Sequence, residues 1–325
     1  MLDEDREFYQ RELASFVPPR IFDAHAHLHT KAQFRGALPD WVSAGPDIVG
    51  LDEYRSRTAE VLPGRDCSGL FFPFPNVNVD EAAANEFVAD EARRDPASRA
   101  QMLVLPGMDP EFIRETVRTR GFAGLKCYHV YSSEAPTWNA TIASFLPEEQ
   151  VKIAHDEGLS ITLHMMRPRA LADATNQEAI RRYATRYPNM RLILAHAARG
   201  FNPHHTIEGI GCLRGLTNVW CDTSAVTEAG AFEAIVNELG VERLLYGSDF
   251  PISHFRGRSV ALGDSFLWLS ARNTDYSAWY GDMRPVLVGL ESLRVLKLAC
   301  RHLHLSDSHV ERIFFGNAAE LFGID

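Results

Sequence analysis

Eight short apolar runs, separated by amphipathic segments, constrain the fold of this chain more than any other feature. They occupy 21–29, 69–74, 101–105, 123–128, 159–164, 191–196, 218–222 and 243–249. Most do not alternate apolar with polar residues, which is the pattern of parallel strands covered on both faces. The segments between them read as helices. Asp80 caps one that runs through Arg94, Asp109-Pro110 opens one that ends at Gly121, and Pro147 opens one that ends at Gly158. Ile180, Tyr183, Ala184 and Tyr187 form an i, i+3, i+4, i+7 stripe, and Phe232, Ile235, Val236 and Leu239 form another. Eight strands alternating with helices predict an α/β fold, a closed (β/α)8 TIM barrel rather than an open sheet. Loop insertions are expected after the first strand (30–64) and the eighth (251–285), since irregular stretches this long are usually lids or interfaces. The whole chain, 1–325, is expected to be one barrel domain, with 1–20 as an N-terminal extension.

Composition narrows the partners. The net charge is −10 and no basic block occurs, which argues against nucleic acid. No apolar stretch approaches the ~20 residues that span a bilayer, and residues 1–12 carry both charge signs with no apolar core of a signal peptide. The five cysteines are odd in number and widely spaced, without a C-x-x-C pair, as expected of reduced thiols. The expectation is a cytoplasmic protein with a small-molecule substrate and no nucleic-acid or membrane partner. Phe266, Trp268, Trp279 and Tyr280, in the late insertion, are expected either to cover a pocket or to form a homo-oligomer interface.

Chemistry-bearing residues sit where the runs end. In Phe22-Asp23-Ala24-His25-Ala26-His27, strict period-2 alternation puts Asp23, His25 and His27 on one face. Two imidazoles two residues apart on a strand suit two nitrogen ligands of one metal. The fourth run carries Lys126, the fifth ends in His164, the sixth in His196 and the eighth in Asp249. A lone histidine is more simply a packed core residue, and a lone Asp a turn cap. Six such residues on successive strand ends are hard to obtain from packing alone, and a barrel gathers strand ends at one mouth.

With those residues in place, Phe22-Asp23-Ala24-His25-Ala26-His27, Leu194-Ala195-His196-Ala197 and Tyr246-Gly247-Ser248-Asp249-Phe250-Pro251 resemble the metal-site motifs of the amidohydrolase superfamily. The branch it most resembles is the amidohydrolase-related (amidohydrolase 2) proteins, which include aromatic and muconate-type decarboxylases. The closing segment 310–323 is similar to that branch's C-terminus. The resemblance implies metal ligation by His25, His27, His164 and Asp249. His196 would be a second-metal ligand or a neutral histidine over the substrate. Lys126 lies on the strand where some members carry a carboxylated lysine; its other readings are a lowered-pKa amine facing an anion, or a plain ion pair. One divalent ion is ranked ahead of two. Zinc comes first, and manganese, iron or cobalt suit the same nitrogen and oxygen donors.

The expected mechanism follows. Such an ion lowers the pKa of a bound water towards ~7, Asp249 takes and later delivers a proton, and His196 polarises a substrate oxygen. Of the cations near the expected mouth, Lys126, Arg167 and Arg199 are assigned to a substrate carboxylate. Arg169, Arg256 and Arg258 lie near it as well. The leading expectation is a metal-dependent hydrolase of an amide, lactone or related bond in a small, carboxylate-bearing substrate. The alternative is a metal-dependent decarboxylase or hydratase of a small carboxylic acid.

Overall fold

The computed structural model describes residues 1–276 and 284–325, so Trp279 and Tyr280 lie outside the described residues. Each of the eight apolar runs forms a strand. The central sheet runs β1 (Arg20–Thr30), β2 (Ile48–Val49), β3 (Asp66–Pro73), β4 (Arg99–Leu103), β5 (Gly124–Tyr128), β6 (Ser160–His164), β7 (Arg191–Leu194), β8 (Val219–Asp222) and β9 (Leu244–Leu245). The spatial order is β2-β1-β3-β4-β5-β6-β7-β8-β9, and every pairing is parallel except β1 with β2. The sheet curls until its ends meet. Beyond β9, the carbonyls of Tyr246 and Phe250 accept from Ala24 and His27 N–H, and Asp249 N–H donates to the His25 carbonyl, all at 2.8 Å. The result is a TIM-barrel-like α/β fold.

The helices start and stop where local chemistry places them. Asp80 accepts from Ala83 N–H, and Asp109 accepts from Glu111 and Phe112 N–H. Gly121 and Gly158 take φ of +74° and +64° just past their helices, a conformation that costs glycine little. A large apolar layer fills the space between sheet and helices, and a smaller cluster containing Phe22, Ala24, Phe72, Ile193 and Leu245 plugs the inside. All five cysteines are free thiols. Among the described residues no helix is long and apolar enough to cross a membrane.

Two local departures from the sequence expectation shape the site. In β1, Asp23 faces Gly69 and Ala26 faces Phe71, so β1 carries one residue more than β3 in this stretch. This β-bulge breaks the strict alternation. Phe22 and Ala24 belong to the inner cluster, and His25 and His27 set their rings against the inner Phe72, at 4.9 and 4.8 Å between centroids. Asp23 therefore does not share a face with the histidines; it turns outward to accept from Tyr54 OH at 3.2 Å. The second departure is at the sixth run, which ends as a strand at Leu194. His196, Ala197, Ala198 and Arg199 then take φ of +57°, +52°, +58° and +61°, a left-handed turn built without glycine.

After β9 the chain forms a hairpin, β10 (Gly257–Leu262) with β11 (Ser265–Ser270). Phe266 and Trp268 from β11 line the cavity over the sheet's C-terminal end.

Candidate metal centre

His25, His27 and Asp249 converge at that end. One potential ligand atom from each lies within 4.8 Å of the others, and all three residues are buried. Asp249 Oδ1 is 3.5 Å from Nε2 of both histidines, close to the ~3.3 Å edge of a tetrahedron with ~2.0–2.1 Å metal–ligand bonds. Neighbouring acceptors set the ring protons. His25 Nδ1 lies 2.8 Å from Asp222 Oδ2, and His27 Nδ1 lies 3.2 Å from the Pro73 carbonyl. An ionised carboxylate and a carbonyl only accept, so both Nδ1 atoms carry the proton and both Nε2 atoms present lone pairs towards Asp249. Burial lowers the pKa of both rings and keeps them neutral. Two neutral imidazoles and a carboxylate held this way fit one divalent ion.

Asp222, which sequence reasoning missed as a functional residue, organises the other wall. It is fully buried and accepts from His25 Nδ1–H, from His196 N–H at 2.8 Å, and from the N–H (3.1 Å) and hydroxyl of Ser224. Burial alone would raise its carboxyl. The neighbouring His25 and His196 and the Ser224 hydroxyl outweigh that and hold it well below the usual carboxylate range. His25, His196 and Asp222 also meet as a possible ligand group, but the protons just described make them a hydrogen-bonded set. The signal available in the sequence was the one used for Asp249: an acidic residue at the end of an apolar run.

His196 and His164 are ordered by the same reasoning. His196 Nδ1 lies 3.0 Å from the Ser224 carbonyl and so carries its proton. Burial lowers this ring's pKa to about 4, leaving it neutral with a bare Nε2. His164 Nδ1, 3.0 Å from that Nε2, must then be the donor, which leaves His164 Nε2 as its free ligand atom. His164 lines the cavity but belongs to neither group of converging ligand atoms.

The expected cations separate. Lys126 is fully buried beneath the cavity, with Nζ 3.3 Å from His25 Nε2 and 4.1 Å from the centre of the Phe72 ring. Burial brings its ammonium down to about 8. Arg167 is not on the cavity wall; its Nε donates to Asp173 at 2.8 Å. Arg169 pairs with Glu208 and Asp264, and Arg258 with Glu228 and Glu291. Arg199 does line the cavity. It has no ion pair among the described residues, its Nε is buried without a partner, and its guanidinium lies 5.3 Å over the Phe266 ring. Burial lowers its pKa.

The cavity measures about 470 Å³ and is walled largely by Phe74, Tyr128, Phe201, Phe255, Phe266 and Trp268. His129, not expected to be a ligand, is on this wall with Nδ1 3.2 Å from Thr137 Oγ1. Among the other histidines set aside, His29 is boxed by the Phe34, Trp41 and Phe74 rings, His205 pairs with Asp264, and His254 Nε2 meets the Arg57 carbonyl.

Comparison with known proteins agrees with this architecture. An amidohydrolase from Burkholderia multivorans superposes with a TM-score of 0.61 at 14% identity, over 94% of this chain and 99% of that one. A probable 2-pyrone-4,6-dicarboxylic acid hydrolase from Acinetobacter baumannii gives 0.58 at 14% identity, over 94% and 99%. A 5-carboxyvanillate decarboxylase from Sphingomonas paucimobilis gives 0.55 at 14% identity, over 95% and 100%. At such identities the likeness is one of fold. The search of curated proteins found no match. The family model described as Amidohydrolase (Amidohydro_2) matches residues 22–324, and the chain belongs to that family.

Proposed function

We propose that the protein is a metal-dependent hydrolase acting on an amide, lactone or related bond of a small substrate that bears a carboxylate. The observation that carries the reading is the convergence of His25, His27 and Asp249, with ring protons ordered by Asp222 and Pro73, below a cavity whose buried guanidinium, Arg199, has no carboxylate partner among the described residues. The ring of strands is read as a (β/α)8 barrel, with 30–64 and 251–285 as insertions over its mouth.

In this reading His25, His27, Asp249 and, through its free Nε2, His164 hold one divalent ion, with zinc first and manganese, iron or cobalt fitting the same donors. Bound there, such an ion would supply Lewis acidity and lower the pKa of a water towards ~7. Asp249 takes the proton of the attacking water and returns it to the leaving group. His196, neutral and protonated at Nδ1, takes the His164 Nδ1–H on its Nε2, so it holds the His164 ring over the site and does not act as an oxyanion donor. Arg199 anchors the carboxylate, and the aromatic walls exclude bulk water. Lys126, below His25, contributes positive charge to the floor.

A second reading, decarboxylation of an aromatic acid, is favoured by those walls, since six aromatic rings suit a planar ring as substrate. A screen of metal-loaded protein over amides, lactones and small aromatic and aliphatic acids, following both hydrolysis and carbon dioxide release, separates the two. Asp249→Asn is expected to keep the fold and abolish turnover of whichever substrate emerges. Turnover near that of the wild type would overturn the assignment.

A further inference from the structure

The N-terminal segment reaches Arg256, a residue of the cavity lining, from outside the sheet. Asp5, on the short helix Asp3–Phe8, is fully buried. Its carboxylate accepts from Arg256 Nη1 at 3.0 Å and Nη2 at 2.5 Å, a fork-on-carboxylate pair, and from Leu2 N–H at 2.8 Å. Burial pulls the Asp5 carboxyl up, but Arg256 and the Leu2 N–H outweigh it and keep it ionised. Arg256 also donates to the Pro285 carbonyl at 3.1 Å, and the residue is one of those that line the cavity. Three arginines therefore border this space. Arg256 is neutralised by Asp5. Arg272 is exposed at the rim, 5.1 Å over the Phe255 ring, where solvent screens it. Arg199 is the one that is mostly buried and has no carboxylate partner among the described residues; its Nη1 donates to the Arg167 carbonyl at 3.4 Å.

We propose that Asp5 sets the charge the cavity presents to its substrate: by occupying Arg256 it leaves Arg199 to anchor one carboxylate, so the enzyme takes a monocarboxylate and rejects the corresponding dicarboxylate. The proposal rests on the reading that the cavity binds a carboxylate-bearing substrate. A second carboxylate seated beside Arg256 would lose its water against apolar walls without gaining that cation, which Asp5 already occupies, and burying an unpaired charge is strongly unfavourable. Releasing Arg256 from Asp5 would supply that cation.

Benzoate and isophthalate share one ring and differ by one carboxylate. Calorimetric titration of each into the metal-loaded full chain tests the proposal. The wild type is expected to bind benzoate about tenfold more tightly than isophthalate. Asp5→Asn is expected to raise isophthalate affinity about tenfold while leaving benzoate within about twofold, and adding Arg256→Met to it is expected to remove the gain. Isophthalate binding as tightly as benzoate in the wild type, or an unchanged ratio in Asp5→Asn, overturns the proposal and leaves the carboxylate reading intact. Binding of neither anion overturns both. If Asp5→Asn does not fold, Asp5→Asn with Arg256→Met, which removes both charges of the pair, and the wild-type ratio decide: the double variant is expected to keep the wild-type preference for benzoate, and its loss overturns the proposal.

Discussion

Replacing Asp222 with Asn tests the reasoning about ring protons directly. Asp222 Oδ1 accepts from His196 N–H and from Ser224, while Oδ2 faces His25 Nδ1 at 2.8 Å. An asparagine keeps an oxygen on the first side and puts an NH2 group on the second. Two donors then confront each other unless the His25 proton moves to Nε2, the atom that faces Asp249 at 3.5 Å. A protonated Nε2 binds no cation. Groups that orient a metal-bound histidine are typically worth 10–100-fold in metal affinity, about 1.4–2.7 kcal/mol. Losing one charge-assisted hydrogen bond removes about 1.5–3 kcal/mol of stability as well. The assay is chelator competition for metal affinity, alongside thermal melts of the metal-free protein. Ser224→Ala is the control, because it leaves the His25–Asp222 bond in place and should hold affinity within about threefold. If Asp222→Asn also stays within threefold of wild type, the ordering of tautomers described above is refuted.

Further outcomes follow from other contacts. Arg199→Met should raise KM for a carboxylate substrate by about tenfold or more, whereas Arg167→Met, whose guanidinium is paired with Asp173, should leave KM unchanged; steady-state kinetics of both variants checks this. Burial raises the Asp23 carboxyl to about 7 despite donation from Ser248, His25 N–H and Tyr54. The folded state therefore holds this proton more tightly than the unfolded chain. The associated stability is present below about pH 4 and is lost as pH rises towards 7, by ~4 kcal/mol as an upper bound; denaturant titrations across that range should show the decline, and Asp23→Asn should flatten it. Gly124→Ala should destabilise by about 1–3 kcal/mol, because a Cβ there would run into the Ser160 carbonyl on the adjacent strand; chemical denaturation measures it.

Fold and site were legible to different depths. The strands were readable because parallel strands covered on both faces leave nearly continuous apolar runs, and the helices because capping Asp and Pro residues and terminal glycines mark their ends. Residues 191–196 were only partly so: apolarity continues through Ala197 and Ala198, so nothing in their composition marks the left-handed turn that begins at His196. The β1 bulge was hidden for a similar reason. One extra residue changes which side chains face inward without changing the residues themselves, and only pairing with Gly69 and Phe71 exposes it. The His25, His27 and Asp249 cluster was visible because strand ends meet at one mouth. The division of the arginines was not, since it depends on acids distant in sequence: Asp173 for Arg167, Glu208 for Arg169, Asp5 for Arg256.

The turn from His196 to Arg199 has a consequence for how this site can change. Four successive residues with side chains sit in a conformation that costs each roughly 1–2 kcal/mol, held by Gly200 N–H on the His196 carbonyl and Thr206 Oγ1 on that of Ala197. Ala197 and Ala198 are fully enclosed, leaving no room for larger replacements. The imidazole and the guanidinium thus ride on one stiff hinge pin. A lineage of this enzyme adapting to a new compound could resize the aromatic walls ring by ring, but shifting either of these two groups alone would require abandoning the pin that seats them both.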